Sequence, residues 1–212
     1  MNRKNILPLA IALVLACAVL YILPRYTKYH VPLPEIADKK KDDLELQKIQ
    51  AKAVLLKMYA AEHKYSTSIC FLADMSLPSG KNRFFVYDLN KNKIRARGLV
   101  AHGSAGKYFA TNVYFSNKVN SYCSSEGMYK IGGQYQGNYS ISYKLFGLDS
   151  TNNNAFERNV VLHAYTCVPE RETYPQPICN SQGCPMVSHK FLDTLSTYIK
   201  NTKGPMLLWV FK

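Results

Sequence analysis

The chain has 212 residues, room for one ordinary domain and a small appendage. Apolar residues make up 47%, and 16 Tyr, 10 Pro and 11 Gly favour strands and loops over a helical bundle. The formal charge is +13, but there is no nucleic-acid motif and no block of six Lys/Arg, so the basic balance points to a solvated face, anionic lipid or an acidic polymer rather than to nucleic acid.

Arg3 and Lys4 precede an apolar stretch from Ile6 to Leu23, interrupted by Pro8. Its 18 residues are at the lower edge of what crosses a bilayer as a helix. It runs on through Val19-Leu20-Tyr21-Ile22-Leu23 to Pro24-Arg25, with no small-x-small exit. The sequence therefore predicts an uncleaved anchor over residues 1–24 that holds the chain on the inner membrane. Secretion after signal cleavage is the alternative. Residues 25–41 read as a linker with Pro32 and Pro34. From Asp42 to about Glu62, Leu46, Ile49, Ala53, Leu56 and Ala60 recur at helical spacing and predict an amphipathic helix. Residues 63–212 form the expected main domain.

Strands follow. Phe84-Phe85-Val86-Tyr87 and Ile94 to Ala101 flank Asn90-Lys91-Asn92-Lys93, a hairpin. Tyr139 to Leu145 alternates as a half-exposed strand does, and Ser150 to Asn154 is a loop. Asn159 to Tyr165 is a further strand, with Asn159, Val161 and His163 on one face and Val160 and Leu162 on the other. Thr166 to Asn180 is irregular and holds three prolines. Ser188 caps a helix that buries Phe191, Leu192 and Leu195, Gly204-Pro205 stops it, and Met206 to Phe211 is a final strand.

Chemistry concentrates in Ser181-Gln182-Gly183-Cys184-Pro185, with Cys184 21 residues after His163. A thiol is mostly protonated at neutral pH, and an imidazole is a suitable acceptor for its proton. Cys184 is the candidate nucleophile and His163 the general base, later the acid. Gly183 leaves the backbone open for N–H groups to meet an oxyanion, and Ser181 supports the turn. The competing reading is a structural cysteine beside a core histidine.

Five cysteines lie outside the apolar segment: Cys70, Cys123, Cys167, Cys179 and Cys184. In an oxidising compartment an odd count leaves at least one thiol free, and Cys184 is the choice. The other four pair in three ways. Among Cys167, Cys179 and Cys184 only the Cys179/Cys184 gap comes close to structural zinc spacing, so no metal is expected. A Cys167–Cys179 bridge closing the loop fits better. Tyr135 and Tyr139 are candidates for an aromatic substrate wall, and Arg158 for a bidentate grip on a substrate carboxylate. Each has an equally simple structural reading.

These residues resemble the murein L,D-transpeptidases with a YkuD-type catalytic domain. The family pattern is a strand histidine followed by Ser/Thr-x-Gly-Cys, here His163 and Ser181 to Cys184. Asp74 to Ser79, Phe85 to Leu89, Val100 to Gly103, Phe115 to Asn117, Ser124 to Gly127, Gly147 to Asp149 and Asn154 to Arg158 are similar to one branch of it. Within that branch pattern, His102 becomes a candidate for the donor site. The sequence departs from the pattern at Ala164, where many members have Gly, and at Pro185-Met186-Val187, where many have Arg or Asn.

The resemblance implies a mainly β, sandwich-like catalytic domain with a few helices, located in the periplasm or cell envelope. It implies that Cys184 forms a thioester with a peptidoglycan tetrapeptide stem and passes it to an amine, with no metal or organic cofactor. Hydrolysis instead of transfer (a thiol carboxypeptidase or endopeptidase) and a non-catalytic wall-binding module are the alternatives.

Overall fold

The computed structural model describes residues 20–21 and 33–212, with side chains for residues 20–21 and 41–212. It has two compact units, Met1–Leu46 and Gln47–Lys212. In the first, Leu20 and Tyr21 are helical and exposed. The remainder of the Ile6–Leu23 stretch lies outside the described residues. Among the described residues no helix is long and apolar enough to cross a membrane.

Helix α1 (Leu33–Glu62) begins inside the stretch read as a linker. Ile49, Ala53, Leu56 and Ala60 are buried, at the spacing that suggested them, whereas Leu46 is 39% exposed. They pack on Cys70, Leu72, Phe85, Tyr87, Leu207 and Phe211, the outer face of the sheet. Full burial of Ile49 and Leu56 is worth about 1.5–3 kcal/mol each.

The sheet has eight strands: β1 (Ile69–Asp74), β2 (Phe84–Asp88), β3 (Lys93–Gly98), β4 (Gly127–Gly137), β5 (Ser140–Gly147), β6 (Val161–Ala164), β7 (Met186–Val187) and β8 (Leu207–Phe211). Their order is β3-β2-β1-β8-β4-β5-β6-β7. β1 runs parallel to β8 and β6 parallel to β7, and every other pair is antiparallel. Past β3, Ala101 bridges Met186 in β7, so the far strand returns to the near edge. Alternate residues of the sheet therefore share one interior. Phe71, Val86, Tyr129, Leu145, Leu162 and Leu208 meet there, closed by Phe191, Leu192 and Leu195 of α2 (His189–Asn201). Ser188 caps α2 by accepting from the Phe191 N–H at 3.3 Å.

The expected hairpin is β2–β3, and the expected last strand is β8. Three strands had no sequence forecast, the two-residue β7 among them. β1 is buried on both faces and so shows no alternation. β4 is broken by a register shift between Ile131 and Gln134, around Gly132-Gly133.

Candidate active site

β6 directs Leu162 and Ala164 into the core and turns Val161 and His163 to the opposite face. β7 runs beside it in register, His163 level with Met186, which puts Cys184 next to Val161. The Val161 N–H donates to Cys184 Sγ at 3.5 Å, and the thiol lies 3.8 Å from the Asn159 carbonyl. Cys184 and His163 line the same open cavity of about 910 Å³.

His163 Nδ1 lies 3.0 Å from the carbonyl of Ala164. A carbonyl only accepts, so Nδ1 carries the proton and Nε2 keeps its lone pair. The family departure at Ala164 costs this bond nothing, because the methyl points into the core while the carbonyl serves the ring. Tyr139 stacks on the imidazole, with centroids 4.2 Å apart and planes at 20°. Burial pushes the Cys184 thiol up, and the Val161 N–H and the Arg158 charge only partly offset it. Burial pushes His163 down against the help of the Ala164 carbonyl. Both shifts favour a neutral thiol and a neutral imidazole.

Gly183 is needed at its position. Its φ is +116°, and an added Cβ would stand 2.6 Å from the Cys123 carbonyl oxygen. Its N–H donates to Ser181 Oγ at 3.0 Å. The expected open donor at Gly183 is therefore already used, and Ser181 does support the turn. The N–H of Cys184 meets no protein acceptor among the described residues.

Arg158 borders the cavity, but both its terminal nitrogens are engaged. It donates to the carbonyls of Ser116 (2.8 Å) and Cys123 (2.6 Å), to Ser121 Oγ (3.3 Å) and to Ser125 Oγ. Among the described residues no acidic side chain borders the cavity, and Lys107 is its other cation. Tyr135 shares a sheet face with Ser142 and His163, two strands away from the base, and does not reach the cavity. Lys107, Tyr108, Phe109, Asn138, Asn159 and Tyr165 border it without having been singled out. They sit on loops and strand ends, where only the cluster Val100 to Gly103 gave a nearby signal.

His102 lies behind the cavity, fully buried. Arg83 Nη2 is 2.8 Å from its Nδ1, and a guanidinium only donates, so Nδ1 accepts. The proton is then on Nε2, which donates to the Ala110 carbonyl at 3.1 Å. Asn180 clips Ala110 from the other side, through bonds of 2.7 and 2.9 Å. His102 thus fastens the segment bearing Lys107 to the segment bearing Cys184. It is no donor-site contact.

Burial and then the Arg83 charge bring His102 down to about 4. An unfolded histidine titrates near 6.5, so between those values the unfolded chain binds the extra proton. Stability is full above pH 6.5 and falls as pH drops toward 4. The loss is on the order of 2–3 kcal/mol. Urea midpoints at pH 7 and pH 4.5 are expected to differ less in His102→Gln than in the wild type. Equal differences would rule out this histidine as the source.

Cys167 and Cys179 form a disulfide, as preferred, and Cys179 borders the cavity. Cys70, Cys123 and Cys184 are free, so two further thiols join the one expected to be unpaired. No group of three His, Cys, Asp or Glu able to hold a metal occurs among the described residues.

The family model of the L,D-transpeptidase catalytic domain matches residues 40–209. The chain belongs to this family. Solved structures similar to this L,D-transpeptidase domain include an L,D-transpeptidase from Xylanimonas cellulosilytica (11% identity, TM-score 0.41, covering 73% of this chain and 68% of that one). The helical cell shape determining protein Pgp2 from Campylobacter jejuni is similar at 13% identity and TM-score 0.41, over 70% of this chain and 49% of that one. An L,D-transpeptidase from Mycobacterium tuberculosis H37Rv is similar at 12% identity and TM-score 0.36, over 68% and 58%. The chain thus spans about half the length of Pgp2. Comparison with the curated proteins finds no match.

Proposed function

We propose that this L,D-transpeptidase domain acylates itself on Cys184 with a peptidoglycan tetrapeptide stem and transfers the acyl group to an amine. The observation behind this is one cavity wall bearing Cys184 and a His163 whose Nε2 is bare. Cys184 Sγ attacks the carbonyl at the L-centre of the third stem residue while its proton passes to His163 Nε2. The C–N bond breaks, His163 returns the proton to the departing D-alanine amine, and a thioester remains. The acceptor amine then gives its proton to His163, attacks the thioester and restores the thiol. We assign the oxyanion to the N–H of Cys184.

The cavity suits such a stem because carboxylates meet cations there and no fixed negative charge. The terminal nitrogens of Arg158 are occupied, so we assign Lys107 as the receptor for a stem carboxylate. Its Nζ rests against Tyr114, 3.1 Å from the hydroxyl and 4.2 Å from the ring centroid. Lys107→Met is expected to raise KM for the tetrapeptide about tenfold with kcat little changed, which steady-state kinetics on the soluble stem would read. An unchanged KM would remove Lys107 from the donor site.

The disulfide fits an oxidising compartment and, with the family, supports a location in the cell envelope. An anchor over residues 1–24 would hold it at the membrane. The deciding experiment incubates the full chain with tetrapeptide and a labelled D-amino acid. Joined product supports transfer. Tripeptide alone would make the protein a carboxypeptidase. No turnover and no acyl-enzyme would leave a wall-binding module.

A further inference from the structure

Tyr139 sits at the tip of the β4–β5 hairpin, where Gly137 pairs with Ser140 and only Asn138 and Tyr139 connect the strands. Ser142 is the residue level with His163. Extended chain would carry Tyr139 about 10 Å past that level. Instead the tip curls back, Ser140 at φ +65°, and lays the Tyr139 ring on the imidazole. Tyr165 then meets Tyr139 edge-on, 5.9 Å between centroids at 82°. Two aromatic side chains hold one orientation over the base.

The charges around His163 make that orientation matter. β5 offers Ser142, β7 offers Met186, and β6 itself offers Val161 and the Ala164 carbonyl. The hairpin tip offers Asn138 and Tyr139, and the uncharged titratable neighbours at the cavity are Cys184, Tyr108, Tyr139 and Tyr165. The fixed charges bordering the cavity are Lys107 and Arg158, both positive. When His163 accepts a proton, its new charge faces cations and no carboxylate. The electron-rich features touching the ring are one carbonyl and one aromatic face. A cation over an aromatic face is attracted by the ring quadrupole, more strongly where water is excluded.

We infer that Tyr139 is a positioning residue for the base, its ring face supporting the imidazolium formed when His163 takes the Cys184 proton. This rests on the reading of His163 as the proton acceptor. It separates the ring's electronic part from its part as a cover. A cover keeps water away and so holds the imidazole neutral, whereas an aromatic face stabilises the cation. The two effects have opposite signs, and Tyr139→Leu and Tyr139→Met resolve them, because each keeps the cover and removes the face.

The test follows alkylation of Cys184 in the full chain by iodoacetamide, from pH 5 to 9, by intact mass with Cys184→Ala as the blank. Sulfur displaces iodide, and the thiol proton goes to His163. The His163 ring proton is titrated in parallel by NMR. Tyr139→Phe is expected to match the wild type. Tyr139→Leu is expected to lower the His163 midpoint by about half to one unit and to slow alkylation at pH 7 about three- to tenfold. Tyr139→Met should repeat the Leu result. A midpoint that stays put or rises in Leu and Met would overturn the inference and make the ring a cover. The reading beneath it has its own control. If His163→Gln alkylates at the wild-type rate and pH profile, His163 is not the acceptor, and reading and inference fall together. If His163→Gln slows alkylation while Tyr139→Leu leaves it unchanged, only the inference falls.

Discussion

Incubated with a carbapenem, a β-lactam whose strained amide acylates thiols, the full chain is expected to gain the mass of one drug molecule, and Cys184→Ala none. Sγ of Cys184 would attack the lactam carbonyl, the ring C–N bond would break, and the proton would finish on the ring nitrogen by way of His163. The adduct should be single because the other described free thiols are buried. Cys70 is fully inaccessible and its thiol is pushed far up by desolvation. Cys123 is 7% exposed, its Sγ turned to the Ser121 carbonyl at 3.4 Å. The expected loss of acylation rate in Cys184→Ala is ~10³-fold or more, since among the described residues no other free thiol borders the cavity. The fold should survive, because the thiol contributes only two long sulfur contacts, at 3.5 and 3.8 Å. An adduct that persists in a folded Cys184→Ala protein would refute the nucleophile assignment.

That the cavity should contain Cys184 and His163 was legible in the sequence for a local reason. An alternating strand puts Val161 and His163 on one face, and Gly183 marks a turn that only glycine makes. The β2–β3 hairpin and α2 were legible likewise, through alternation, turn residues and the Ser188 cap. β1 was not, since Ile69 to Asp74 is covered by the core on one side and by α1 on the other, and a strand buried twice has no period. The segment holding Lys107, Tyr108 and Phe109 was not legible either. It is held by His102 and Asn180, a long-range pairing that no local pattern encodes. His102 shows the same limit from the other direction. The family-branch pattern suggested a site residue, and only Arg83, 19 positions earlier, makes it an internal strut.

Arg158 gives the second large effect. A bidentate carboxylate receptor and a loop organiser look alike in sequence, and the structure favours the organiser. Its acceptors come from one segment, Ser116 to Ser125, which the guanidinium gathers against the turn at Gly183. The Cys123 carbonyl that it holds at 2.6 Å is the one that crowds Gly183. Arg158→Lys keeps the charge but loses the planar fork, and one ammonium cannot span acceptors on both sides. Stability is expected to fall by about 2–4 kcal/mol as part-buried acceptors lose their charged donor. Acylation of Cys184 by the carbapenem is expected to slow about 10- to 100-fold as the Gly183 turn loosens. A receptor would behave differently, because lysine would still attract a carboxylate and the fold would not depend on it. Urea unfolding therefore separates the two roles. An Arg158→Lys protein with the wild-type midpoint and a raised KM for the tetrapeptide would return Arg158 to the substrate, whereas a lowered midpoint with slowed acylation makes it the brace behind the nucleophile.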